Sequence, residues 1–139
     1  MFNMIYYCRV RKTVRGFFVS FPDFPDISAS SSTKADALRV ASEALYERLA
    51  LDAAQGIIPP PPMYVGPKDC AVEVPANMLV ALQIRQLRGK LSQKDVAQRL
   101  NITYQSYQDY ENPAKSNPTI KNLERIARAL GKRLKVEFI

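Results

Sequence analysis

The stretch from Leu91 to Leu130 constrains this chain more than any other. Two short helical patterns sit side by side there with almost nothing between them. Ser92 is a strong N-cap, because its hydroxyl can accept an otherwise unpaired amide of the first turn. Val96, Ala97 and Leu100 then fall on one face of a helix over Gln93–Leu100. Ala97 is small where a second helix would cross closely. Asn101 tolerates the left-handed conformation that ends a helix, Ile102 plugs the corner, and Thr103 caps a second helix. Tyr107 and Tyr110, three apart, give that second helix an inward face. Gln105, Ser106, Gln108 and Asp109 look outward. Two short helices joined by a tight turn, the second outwardly polar, predict a helix-turn-helix.

Charge supports a phosphate-bearing partner for this half. The chain of 139 residues carries a net charge of +7. Residues 1–66 hold seven Lys/Arg and six Asp/Glu, whereas residues 67–139 hold thirteen and seven. The excess cations therefore travel with the helix-turn-helix. Lys90, Lys94, Arg99, Lys115 and Lys121 flank the second helix, and no Lys or Arg lies between Asn101 and Ala114. That division suits amides that read bases and cations that hold phosphates. Gln105 is the leading candidate, since glutamine can pair with the N6/N7 edge of adenine.

The pattern Ser92-Gln93-x-x-Val96-Ala97-x-x-Leu100-x-Ile102-Thr103, with Tyr107, Tyr110-Glu111-Asn112, Pro118, and Leu123-x-x-Ile126-Ala127-x-Ala129-Leu130-Gly131, resembles the Cro/phage-repressor class over roughly 75–131. Two departures stand out: a short Arg88-Gly89-Lys90 link, and Pro113 where glycine is common. The resemblance implies that Gln93 begins the helix crossing the DNA backbone and that Tyr104, Gln105 and Asp109 face bases. The expected DNA-binding set is Gln93, Lys94, Tyr104, Gln105, Ser106, Gln108, Asp109, Lys115, Asn117 and Lys121. A helical packing module without nucleic acid is the competing reading.

The first part of the chain has a different pattern. Met4–Val10 is rich in β-branched and aromatic residues, Gly16 supplies a turn, and Phe17–Phe21 is a second strand, which predicts an antiparallel hairpin. Pro22-Asp23-Phe24-Pro25-Asp26 is expected to be a turn, with Ile27–Ser30 a short third strand. Thr33-x-x-Asp36 opens a helix, continued by Leu38, Ala41, Leu45 and Leu49 and stopped at Gln55-Gly56. Three strands and a helix make one sheet covered on one face. Pro59–Pro62 suggests a stiff extended spacer. Ala71–Val74 is a short strand that either returns to the first sheet or leads into the next helix.

This N-terminal part resembles the HicB antitoxin family over about 3–63. The resemblance rests on the hairpin, Phe21-Pro22-Asp23-Phe24-Pro25, the Thr33/Ala37/Ala41 helix opening and the proline-rich exit. It implies a partial RNase H-like domain that binds a HicA-like toxin, a small basic ribonuclease. It also implies a type II antitoxin whose C-terminal domain binds double-stranded operator DNA and represses its own operon. The competing function is a free-standing repressor whose N-terminal domain senses a ligand or oligomerises.

The expected fold is thus an α+β N-terminal domain (β-β-β-α, partial RNase H-like), residues 1–58. A Pro-rich linker and short strand, 59–74, leads to an all-α helix-turn-helix domain with a C-terminal strand, 75–139. In that domain a helix from Pro75 to about Leu87 carries Met78, Leu79, Leu82 and Gln86 along one side. Another over Thr119–Leu130 carries Ile120, Leu123, Ile126, Ala127 and Leu130. Lys132–Ile139 alternates polar and apolar, as a strand does; it either dimerises the DNA-binding part or packs on its own domain. The chain is expected to form a homodimer or higher homo-oligomer.

Enzymatic chemistry is not expected. Histidine is absent, so His-based triads and His metal sites are excluded, and the first acidic residue is Asp23. RNase H chemistry needs several carboxylates around divalent metals. No cofactor is expected. Cys8 and Cys70 are expected as buried thiols in a reducing cytoplasm. No apolar run approaches the roughly 18 residues that would span a membrane.

Overall fold

Gly16 decides where the N-terminal hairpin turns. Its φ is +146°, and a Cβ there would stand 2.2 Å from the Ser31 carbonyl oxygen, so only glycine fits. The computed structural model describes residues 4–139 and divides into two compact units, Met1–Val74 and Pro75–Ile139.

In the first unit, β1 (Ile5–Tyr7) and β2 (Arg9–Thr13) are separated at Cys8. β3 spans Gly16–Phe21, β4 spans Phe24–Ser31, and β5 spans Ala71–Glu73. The expected single strand over Met4–Val10 is therefore broken in two. β2, β3 and β4 form one antiparallel sheet in that order, while β1 pairs antiparallel with β5. The break lets the chain serve two partners: Cys8 N–H donates to the Cys70 carbonyl at 2.8 Å while β2 continues along β3.

The third strand also begins earlier than expected. Only Pro22-Asp23 turn, and Phe24 already pairs with Phe21 beside a register shift at Ser20/Phe21. Pro25 is tolerated because β4 is an edge strand. Phe21 and Phe24 are buried, so these aromatics build core.

α1 (Lys34–Ala54) packs on β3 and β4. The Thr33 hydroxyl accepts from Asp36 N–H, as the capping pattern predicts. Ala37, Ala41, Leu45 and Leu49 are buried on its inner face.

The proline-rich segment is docked on this unit. Tyr6 Oη donates to the Pro60 carbonyl at 2.6 Å. Met63 and Tyr64 N–H groups donate to the Asp23 carboxylate at 3.1 and 3.4 Å. Lys34 pairs with Asp69, and Tyr46 Oη donates to the Glu73 carbonyl. Residues 59–74 thus fold with the first unit, and β5 returns to it, one of the two courses the sequence leaves open. Such anchors are long-range and leave no local pattern.

The second unit contains α2 (Ala76–Arg88), α3 (Gln93–Leu100), α4 (Tyr104–Glu111) and α5 (Ile120–Ala129). Ile84, Val96, Ala97, Leu100, Tyr107 and Ile126 form its core, with Leu91, Ile102, Tyr110, Leu123 and Leu130 packed around them. Gln86 is exposed and Ile120 is 62% exposed, so neither joins the inward face assigned to it from spacing. Ile120 is the first residue of α5, where the helix has barely entered the core.

The expected C-terminal strand is not formed. Lys132–Ile139 has no strand partner among the described residues, and Val136 and Phe138 are exposed. Alternation makes a strand only where an edge is available to pair, and this unit is otherwise helical.

Candidate nucleic-acid interface

Three hydroxyl caps and one left-handed residue set the frame of the second unit. Ser92 Oγ accepts from Asp95 N–H at 3.0 Å, and Thr103 Oγ1 accepts from Ser106 N–H at 3.1 Å. Thr119 Oγ1 accepts from Asn122 N–H at 3.1 Å. Asn101 ends α3 at φ 55°, ψ 45°, the left-handed region. Ile102 N–H then returns to the Ala97 carbonyl, closing the corner. The turn between α3 and α4 is thereby fixed by its own residues.

A buried carboxylate ties α2, α3 and α4 together. Glu111, 5% exposed, accepts from Arg88 Nε at 2.7 Å and Nη2 at 3.1 Å, and from Gln93 Nε2 at 3.2 Å. Arg88 Nη1 also donates to the Leu91 carbonyl at 2.6 Å. The short Arg88-Gly89-Lys90 link is locked this way, with Gly89 at positive φ. Nothing in the spacing pairs Arg88 with Glu111, 23 residues apart, so sequence reasoning missed this network.

Tyr107 is fully buried, and its hydroxyl has no hydrogen-bond partner among the described residues. Burial, and then the Glu111 carboxylate, push that hydroxyl far above the usual tyrosine range. Tyr110 Oη accepts from Asn122 Nδ2 at 3.1 Å, which ties α4 to α5. Pro113 is buried, and Asn112 before it sits at φ −92°, ψ 110°, the extended region a residue preceding proline prefers. Asn112 Oδ1 accepts from Ala114 N–H, and Ser116 Oγ donates to the Tyr110 carbonyl. Proline in place of glycine is thus absorbed into an ordered loop.

The structure places the ten candidate residues unequally. Tyr104, Gln105 and Ser106 are exposed on α4, and Gln108 and Asp109 are half-buried. The Ser106 hydroxyl accepts from Thr103 Oγ1 at 2.8 Å, so it belongs partly to the cap. Gln93 is half-buried with its amide turned to Glu111. Lys94 sits 5.5 Å from the centre of the Tyr104 ring, a cation–π contact joining the starts of α3 and α4. Lys115, Asn117 and Lys121 are exposed in the loop after α4 and the first turn of α5. Arg99 donates to the Ala129 carbonyl at 2.9 Å, so part of its guanidinium caps the end of α5. The resulting surface is a helix with an exposed amide and flanking lysines, the layout that enters a major groove.

Residues 83–136 match the helix-turn-helix family model. The match supports DNA binding by this part of the chain, as in a transcription regulator. More narrowly, its helix-turn-helix is of the Cro/C1 type. The match lies entirely within the second unit. Comparison with curated proteins gives no match. No helix among the described residues is long and apolar enough to cross a membrane.

Proposed function

We propose that this chain is the antitoxin of a type II toxin–antitoxin system: its first unit binds and neutralises a HicA-like, mRNA-cleaving toxin, and its second unit binds operator DNA and represses the operon. The observation that carries the reading is the join of an exposed helix-turn-helix to a separate α+β unit with its own core, in the order of the HicB resemblance. The partial RNase H-like architecture is part of this proposal, supported by the strand order and by Phe21 and Phe24 packing around the Pro22-Asp23 turn.

The first unit acts in this reading by binding, without catalysis. Three of its carboxylates have structural work: Asp23 anchors the proline-rich segment, and Asp26 and Asp52 pair with Arg48. DNA binding is by a homodimer, since one such module reads only a half-site. An open groove of about 290 Å³ supports this; Val80, Leu87, Leu123, Leu130 and Leu134 are among its lining residues. The exposed Val136 and Phe138 lie just beyond that groove in the chain. Two copies exchanging these segments would cover both.

The test is a pull-down from the native host with residues 1–74, tagged. The fragment must include β5, because a cut before Ala71 removes the partner of β1. A small basic protein whose RNA cleavage stops on adding the fragment is the expected result. Recovery of the fragment alone, with the full chain still binding its own promoter, would replace the antitoxin by a free-standing repressor.

A further inference from the structure

The outer face of the three-stranded sheet carries an unusual combination. Register puts Arg11, Phe18 and Ser30 in one cross-strand row and Arg9, Ser20 and Ser28 in the next. Val10, Val19 and Ala29 form the intervening row on the other face, the one α1 covers. Arg9, Arg11, Ser28 and Ser30 are exposed. Arg11 lies over the Phe18 ring at 5.1 Å, and Arg9 lies over the Tyr64 ring at 4.8 Å. Arg15, and Lys12 on the opposite parity, add charge at the hairpin end, where Thr13, Arg15, Phe17, Ser30, Ser31 and Ser32 line an open groove of about 250 Å³.

No acidic residue occurs before Asp23. Among the described residues, none of these four cations forms an ion pair. The nearby carboxylates are engaged elsewhere: Asp23 accepts from Met63 and Tyr64, and Asp36 from Ser31 and Arg39. The unit as a whole is nearly neutral, and Lys34, Arg39 and Arg48 are held in ion pairs, so Arg9 and Arg11 leave this face positively charged.

We propose that this face binds single-stranded RNA. A small basic protein is repelled by it, so it is not the surface for the proposed toxin, and the inference stands without that reading. A guanidinium resting on an aromatic ring presents its other plane to a nucleobase. A sheet face with two such planes suits unstacked bases, as duplex DNA keeps its base faces covered. The surrounding cations meet the phosphates, and the outward Thr13, Ser28 and Ser30 hydroxyls can hydrogen-bond 2′-hydroxyls.

The test uses the full chain and fluorescence anisotropy with a labelled RNA of about 12 nucleotides, mixed in sequence. Arg9→Ala with Arg11→Ala is expected to weaken RNA binding about tenfold or more while leaving duplex DNA binding in place. Arg9→Lys with Arg11→Lys, which keeps the charge and removes the planar stacks, is expected to lose at least about threefold. Lys94→Ala with Lys121→Ala should do the reverse, losing duplex and keeping RNA. Unchanged RNA affinity in the alanine pair overturns the proposal. So does full affinity in the lysine pair, which would leave charge alone as the determinant and fit an acidic protein equally well.

Discussion

Glu111 is the buried charge that links three helices of the second unit. It is a buried carboxylate holding Arg88 and Gln93, and removing one member of a buried pair costs about 3–5 kcal/mol. Glu111→Ala is expected to fall at the low end of that range in urea unfolding, since Arg88 keeps some access to solvent. Glu111→Gln should lose less. Cys8 makes an opposite kind of contribution. Burial first, and then its neighbour Cys70, push its thiol from 9.0 up to about 12. The native state therefore holds this proton longer than the unfolded chain does. The stability it contributes is intact below pH 9.0 and is lost as pH climbs toward 12. Tyr6 and Cys70 are raised in the same sense. Unfolding midpoints measured across this window should decline, and Cys8→Ala should flatten the first part of the decline. On α4, Gln105→Ala is expected to cost about 1–3 kcal/mol at one base position and leave others unchanged. Lys121→Ala should instead weaken all sequences alike and lower the salt slope by about 1. Binding titrations against single-base operator variants at two salt concentrations separate the two.

The elements differ in how they are held. α3 and α4 carry their own caps and their own turn, so their boundaries are set by Ser92, Asn101 and Thr103. The β2–β3 hairpin depends instead on a close approach from elsewhere, since the Ser31 carbonyl of β4 occupies the space a Cβ at Gly16 would need. Gly16→Ala is therefore expected to destabilise the first unit by about 1–3 kcal/mol. Thermal unfolding followed by circular dichroism measures it, and a control at Gly131, where an added Cβ meets nothing within 4 Å, should cost less. The positive φ at Gly131 keeps that cost above zero.

Each unit has its own core, so each is expected to retain its fold when the other is perturbed. In the proposed homodimer the C-terminal segment serves assembly rather than folding. Truncation after Gly131 removes Leu134, Val136 and Phe138. Analytical ultracentrifugation should show the shortened chain monomeric at concentrations where the full chain is dimeric, with the melting temperature of the second unit little changed. A truncated chain that still dimerises would place the interface elsewhere.

The sequence by itself determined what is local. The helix-turn-helix was legible because caps, a left-handed asparagine and a 3.6-residue apolar period all act within a few residues. The α1 boundaries at Thr33 and Gln55 were legible for the same reason. Only the tertiary structure decided that Met4–Val10 splits at Cys8, that the proline-rich stretch is pinned by Tyr6 and Asp23, and that Arg88 meets Glu111. It also turned Gln93 inward and left Lys132–Ile139 without a strand to join. Each of these depends on a partner tens of residues away or on the absence of one, and neither condition leaves a periodic mark along the chain.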